Sequence, residues 1–331
     1  MKFSRLLCAF VLAALFAVPR GAEADSGFKL VLKLSHVFAP DEQLTKAMDR
    51  VAERVKERTQ GAIDIQTYPQ GQLPTYKDGL EQVARGADFI SVEDPSYLGD
   101  YVPDFKALVG PMLYTSFGQY TRLIETDLVK DMIRRAEEKG IKVLALDYIF
   151  GFRSIYSNRL IEKPEDLKGM KLRTPGSQIF IDTINAMGAT ATPLPFAETI
   201  SAVQQGVVDG LEGSIDAMLG NKSYEVCKNV AMTQHFLGTC GVYISTKVWE
   251  RIPENLRAVV AEEFSAGGKE MTRIIAESYD GTLEKLKEKG VKFNEVDVKA
   301  FQEATKGVFE RMEGVTPGIY DTLAEAIVAG K

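Results

Sequence analysis

The hydrophobic period of this chain switches repeatedly between two and 3.6, and that alternation constrains the fold more than any single motif. Phe28 to Ser35 has the pattern of a strand, and Asp41 to Thr59 sets Leu44, Met48, Val51 and Val55 on one helical face. Ala62 to Tyr68 alternates as a strand and stops at Pro69 and Gly71. Tyr76 to Arg85 reads as a helix closed by Gly86, and Asp88 to Val92 as a short strand. Phe117 to Lys139 reads as one long helix ahead of a strand, Ile141 to Ile149. Strand and helix in this order predict an α/β fold with a mostly parallel sheet and helices on its faces.

The pattern restarts near Gly151. Strands are predicted around Arg153 to Ser157 and Met170 to Thr174, then a helix from Gln178 to Met187 and a strand from Ala189 to Thr192. A helix from Phe196 to Gln205 closes on Gly206, and strands follow at Val207 to Glu212 and Thr239 to Ser245. From Pro253 to Lys289 one amphipathic helix is predicted, with Leu256, Val260, Phe264, Met271 and Ile275 on its apolar face. Gly267-Gly268 interrupts it as a candidate bend. Helices near Val298 to Met312 and Pro317 to Val328 end the chain.

The front of the chain reads as an export signal. Lys2 and Arg5 precede an apolar run, Leu6 to Val18, too short to span a bilayer, and Ala22-Glu23-Ala24 is an A-x-A cleavage site. Residues 1–24 are therefore a predicted signal peptide, and the exported, soluble product would start at Asp25 and keep 307 residues. That length is about two domains' worth. Removing Lys2, Arg5, Arg20 and Glu23 from 40 basic and 46 acidic residues leaves 37 and 45, a formal charge of −8. Such a balance argues against nucleic acid as a partner but leaves room for a small anion in a local cationic pocket. Cys227 and Cys240 survive cleavage, and the sequence leaves two readings open, a disulfide or two buried thiols.

Motifs of known chemistry are missing. There is no phosphate loop, no G-x-G-x-x-G and no G-x-S-x-G, and His36 and His235 lack metal-site spacing, so neither cofactor nor metal is expected. The most informative local segment is Pro164-Glu165-Asp166-Leu167-Lys168-Gly169-Met170-Lys171-Leu172-Arg173-Thr174-Pro175. A polar turn closes on Gly169, a short strand ends on Arg173, and Pro175 biases Thr174 towards an extended backbone. Arg173 thus stands at the carboxyl end of a strand, the usual ligand edge of an α/β sheet. Its planar fork suits the carboxylate of a ligand or that of a neighbouring acid, and both readings stay open at this point.

Several short blocks resemble one family. They are Leu34-Ser35-His36, Thr59-Gln60-Gly61, Tyr68-Pro69 with Gly71-Gln72-Leu73, Gly151-Phe152-Arg153 and Ser157-Asn158-Arg159. They continue through Pro164 to Pro175, Pro193-Leu194-Pro195-Phe196-Ala197-Glu198 and Val208-Asp209-Gly210-Leu211-Glu212. In that order they resemble the DctP-type periplasmic solute receptors of tripartite ATP-independent periplasmic (TRAP) transporters. The resemblance implies a two-lobe periplasmic binding protein fold with a hinge and a long inter-lobe helix. Residues 25–150 plus 239–278 would form lobe I, and 151–238 plus 279–331 lobe II. The implied function is capture of an organic acid in the periplasm and its delivery to membrane permease subunits, without chemistry.

By the same resemblance Arg173 grips the ligand carboxylate and Arg153 supports it. Glu93 and His36 supply polar contacts from the other lobe, Phe196 lines the pocket, and Glu212 reaches either ligand or Arg153. One departure stands out: Gly213-Ser214 replace the asparagine and proline that many relatives carry after the glutamate. A donor is lost and space is gained. Phe38, Tyr97, Tyr148, Phe150, Phe152, Phe236 and Tyr243 fall near predicted strand ends, so an aromatic acid competes with an aliphatic or sugar acid as the implied ligand. The alternative from another class is a secreted α/β enzyme using Glu93 or Glu212 as general base.

Overall fold

Nine strands form one sheet in the computed structural model, which describes residues 27–329. The expected signal peptide and its cleavage site lie outside the described residues. The strands are β1 (Leu30–Ser35), β2 (Ile63–Tyr68), β3 (Phe89–Glu93), β4 (Ile141–Ser157), β5 (Lys171–Thr174), β6 (Thr190–Pro193), β7 (Gly210–Ser214), β8 (Asn229–Ser245) and β9 (Lys292–Asn294). Their spatial order is β2-β1-β3-β8-β4-β7-β5-β6, with β9 beside β8. The α/β class expected from the alternation is what the chain adopts.

The sheet is parallel at its ends and antiparallel at its centre. β1 pairs in parallel with β2 and β3, and β5 with β6 and β7, as the helical crossovers require. β4 and β8 are antiparallel to each other and to their neighbours β7 and β3. The expectation of a mostly parallel sheet misses this centre. The chain crosses from the first half to the second along β4 and returns along β8, so these strands must oppose each other. Each is 17 residues long. The pattern split β4 at Gly151 because that residue takes φ +103° beside a register shift. It missed the front of β8 because Thr233, Gln234 and His235 are polar and Gln234 has φ 45°.

The long helix is continuous over Glu254–Glu288, 35 residues or about 52 Å at 1.5 Å per residue. Leu256, Val260, Phe264, Met271 and Ile275 pack with Leu32, Val51 and Val242 in the first half, whereas Leu286 joins Leu211 and Val230 in the second. Gly267-Gly268 does not interrupt the helix. Those glycines serve close approach instead: a Cβ at Gly267 would run into Val51 and Tyr148, and one at Gly268 into Asp147. The predicted Phe117 to Lys139 helix is two, Phe117–Leu123 and Asp127–Glu138. Thr126 breaks it by taking an extended backbone and returning its hydroxyl to the Leu123 carbonyl at 2.7 Å. The last helix, Ile319–Ala329, packs with Phe105, Leu108 and Tyr120 of the first half. Cys227 and Cys240 are free buried thiols in separate core clusters, so the disulfide reading falls.

Candidate functional site

A cavity of about 50 Å³ opens where β3, β5 and β7 end against the centres of β4 and β8. The Phe38, Phe150, Phe180 and Phe196 rings give it apolar walls, and Glu93, Asp94, Arg153, Arg173 and Glu212 bring charge into it. Apolar walls with a few convergent polar groups are the usual build of a small-molecule site.

Arg173 ends β5, with Leu211 of β7 and Thr192 of β6 beside it. It is 1 % exposed. Its Nε donates to the Leu194 carbonyl at 2.9 Å and its Nη2 to the Tyr76 hydroxyl at 3.3 Å, while its Cζ lies 5.2 Å from the centre of the Phe196 ring. Among the described residues it forms no ion pair. A cation taken out of water without a counter-charge is costly, so an anion placed beside this fork would be stabilised.

Arg153 is arranged the opposite way. Register places Ile155 of β4 opposite Glu212 of β7, so Arg153 and Glu212 are diagonal neighbours on one face. Arg153 Nε and Nη2 each donate to a Glu212 oxygen at 2.6 Å, a fork-to-fork pair. Burial alone would raise the Glu212 pKa, but the Arg153 guanidinium overrides it and holds the carboxyl at about 2. His235 Nε2 is 3.7 Å from the same carboxylate, beyond hydrogen-bond reach, and its Nδ1 pairs with Thr233 Oγ1 at 2.8 Å. Burial pushes the His235 pKa down and keeps the ring neutral.

The first half supplies acids. Glu93 ends β3 and accepts the Tyr76 N–H at 2.6 Å, which satisfies an orphan donor at the start of the helix Tyr76–Arg85. Burial pushes the Glu93 carboxyl up to about 8, against the pull of that N–H and with Asp94 adding to the rise. Glu93 is therefore largely protonated at neutral pH. Burial likewise raises Asp94 to about 6, although it caps the next turn by accepting the Ser96 N–H at 2.8 Å. The Asp94 Oδ2 and the Tyr97 hydroxyl are buried without a hydrogen-bond partner among the described residues.

Six of the seven residues singled out in the sequence meet at this cavity: Phe38, Glu93, Arg153, Arg173, Phe196 and Glu212. His36 does not line it. It is buried with its ring 6.1 Å from that of Phe38, neither ring nitrogen has a hydrogen-bond partner among the described residues, and burial lowers its pKa to about 4. Sequence reasoning missed Tyr76, Asp94 and Phe180. The adjacent acids Glu93-Asp94 before Pro95 carried a signal for the second of these; nothing local marked the other two. Of the aromatic candidates, Tyr97 and Phe150 line the cavity. Tyr148 instead donates to the Phe264 carbonyl in the core, at 2.8 Å. Gly213 lines the cavity and the Ser214 hydroxyl accepts the Ala217 N–H at 3.3 Å, while a Cβ at Gly213 would meet the Tyr156 hydroxyl at 3.3 Å, so Tyr156 takes up the room that the expected departure would free.

Comparison with known proteins agrees with this geometry. The family model for bacterial extracellular solute-binding proteins, family 7 (DctP), matches residues 34–314. The C4-dicarboxylate-binding periplasmic protein DctP of Rhodobacter capsulatus is 28% identical over 325 residues, 98% of this chain and 94% of its own. A TRAP periplasmic solute-binding protein from Desulfovibrio salexigens, solved with diglycerolphosphate, is 58% identical with a TM-score of 0.90, over 91% of this chain and 97% of its own. One from Fusobacterium nucleatum, solved with sn-glycerol 3-phosphate, is 44% identical with a TM-score of 0.90, over 91% and 98%. With a matching model over most of its length and the same fold, this chain belongs to the DctP family of TRAP periplasmic solute-binding proteins, receptors that work with membrane permease subunits.

Proposed function

We propose that this receptor binds a small organic acid by its anionic group at Arg173, and that a glycerol phosphate ester is the leading ligand. The observation that carries the reading is a buried guanidinium with no acid paired to it among the described residues, in a cavity whose other arginine is already paired. Two relatives at 58% and 44% identity hold glycerol phosphate esters, which favours phosphate over the carboxylate expected from the family pattern. A sugar acid is the second reading, because a relative from Actinobacillus succinogenes, 29% identical, holds L-galactonate.

In this reading Arg173, Phe196 and Phe38 contact ligand, Glu93 donates a hydrogen bond as a neutral acid, and Arg153–Glu212 braces the wall. Lobe I would hold 25–150 plus 239–278 and lobe II most of 151–238 plus 279–331, with the last helix returning to lobe I. Ligand touching both lobes would shift a hinge equilibrium of a few kcal/mol towards closure. In this reading the ligand is bound and released unchanged, as in the receptors the chain resembles, and both Glu212 oxygens are taken by Arg153. Residues 1–24 are removed on export to the periplasm, and N-terminal sequencing of the exported form would read Asp-Ser-Gly-Phe.

Mass spectrometry of solute released from freshly purified, denatured protein tests the ligand. Calorimetry with diglycerol phosphate, sn-glycerol 3-phosphate and L-galactonate follows. Binding of a glycerol phosphate ester, returned unchanged, is expected. Binding of L-galactonate alone would favour the second reading, and failure with all three would end both.

A further inference from the structure

Tyr76 joins the two halves of the sheet through its own atoms. It opens the helix Tyr76–Arg85 beside β3, in the first half. Its backbone sits at φ 57°, the left-handed region, which a residue with a bulky ring seldom takes. The Glu93 carboxyl holds that backbone through the N–H, and the ring rests 5.4 Å from the Tyr97 ring. The hydroxyl then reaches the second half. It accepts the Phe196 N–H at 3.1 Å and an Arg173 N–H at 3.3 Å.

The chemistry of a phenol is apt there. An oxygen with two lone pairs can hold both donors. A carboxylate in that place would cancel the Arg173 charge. The hydroxyl fixes the direction of the fork and leaves its charge for an incoming anion. The same bonds can exist only while the first half lies against the second.

We propose that the Tyr76 hydroxyl is an inter-lobe latch that forms on closure, orients Arg173 for the anion and slows its release. It is a positioning residue, acting through Arg173, and the idea rests on the reading above that the two halves close on an organic acid.

Tyr76→Phe tests it, since the change removes one oxygen and keeps ring and backbone. Wild type and variant are titrated with diglycerol phosphate, sn-glycerol 3-phosphate and L-galactonate, and stopped-flow gives the rates. On any compound the wild type binds, the variant should bind roughly tenfold weaker or worse, with a faster off-rate and an unchanged on-rate. The ligand-free thermal midpoint should stay as in wild type, while the ligand-induced rise shrinks. Affinity and off-rate within about twofold of wild type would overturn the latch. So would an equal fall of both midpoints, which is what a merely structural hydroxyl would give. If the wild type binds none of the three, the proposed ligand falls, and the latch is judged separately. Spin labels at Lys56→Cys and Lys168→Cys, exposed sites on opposite halves, then report the inter-lobe distance without ligand. The ligand-free protein is mostly open, so the readout is its minor short-distance, closed component. Its loss in Tyr76→Phe supports the latch, and a closed component undiminished by the change overturns it.

Discussion

Arg153 and Arg173 lie in one cavity, both buried, and differ in what faces them. Arg153 gives two nitrogens to Glu212, each at 2.6 Å. Arg173 gives its bonds to a carbonyl and a phenol, neither of which carries charge. The first is a closed pair that braces β4 against β7 across the middle of the sheet. The second is an open valence at the end of β5. A buried arginine therefore says little by itself; its partner decides whether it is structure or site. The acids divide the same way, with Glu212 held ionised by its partner and Glu93 held neutral by burial.

The largest effect is expected from breaking the closed pair. Glu212→Gln leaves Arg153 buried without its counter-charge, a change that typically costs about 3–5 kcal/mol. Urea denaturation of the ligand-free protein should show the unfolding free energy fall by that much. A loss under about 1 kcal/mol would mean that Arg153 finds another partner and that the contrast with Arg173 is false. Arg173→Ala comes next and should act on binding, not on the ligand-free fold, because no protein charge loses its mate. Truncation at a desolvated ion pair typically costs about 2–5 kcal/mol, or roughly thirty-fold to several thousand-fold in affinity. Arg173→Lys keeps the charge, loses the fork and should fall between. Calorimetry with the solute that the wild type binds reads all three. Affinity of Arg173→Ala within about threefold of wild type would remove the anion clamp.

A third, smaller effect concerns the long helix. Adding a methyl at Gly267 presses on Val51 and Tyr148, and overpacking of this kind costs about 1–3 kcal/mol. Gly267→Ala should lower the denaturation midpoint without altering the ratio of affinities between wild type and Arg173→Ala. A neutral result would mean that the glycines mark flexibility and not close approach.

What was legible in the sequence was what is local. The strand ending on Arg173 ahead of Thr174-Pro175 could be read directly, because turn, strand and proline are neighbours in the chain. The helix at Glu254–Glu288 announced itself by a sustained 3.6 period. The partner of Arg153 was named only as one of two options, since the diagonal to Glu212 depends on the register of β4 with β7. Tyr76 was invisible for the same reason: its importance comes from Glu93 on one side and Phe196 and Arg173 on the other. His36 was misplaced because a polar residue after a strand suggests a site, whereas here the strand end is packed under Phe38. β4 and β8 looked like separate pieces because irregular backbone at Gly151 and Gln234 interrupts the alternation that a strand is recognised by.

Glu93 sharpens the comparison on the acid side, and its effect is spread over several pH units. Its pKa is about 8 in the folded protein against an ordinary 4.5, with Asp94, Tyr97 and Tyr76 facing it and Arg173 beyond the Tyr76 hydroxyl. The sign follows from proton counts. Between about 4.5 and 8 the folded state holds a proton that the unfolded state has lost, so stability falls as pH rises through that window. One group contributes at most about 1.4 kcal/mol per pH unit there. Below the window its full stabilising contribution is present, and above it that contribution is gone. Glu93→Gln imitates the protonated acid at every pH. It should flatten this part of the profile and gain on wild type from neutral pH upward. Wild-type affinity for an anion should also weaken as pH passes about 8, when a second negative charge develops beside the site, and the glutamine variant should not follow it. Denaturation and calorimetry at pH 6, 7, 8 and 9 measure both trends. Parallel profiles for the two proteins would show that Glu93 is ionised throughout, and that the two acids of the cavity do not differ as the two arginines do.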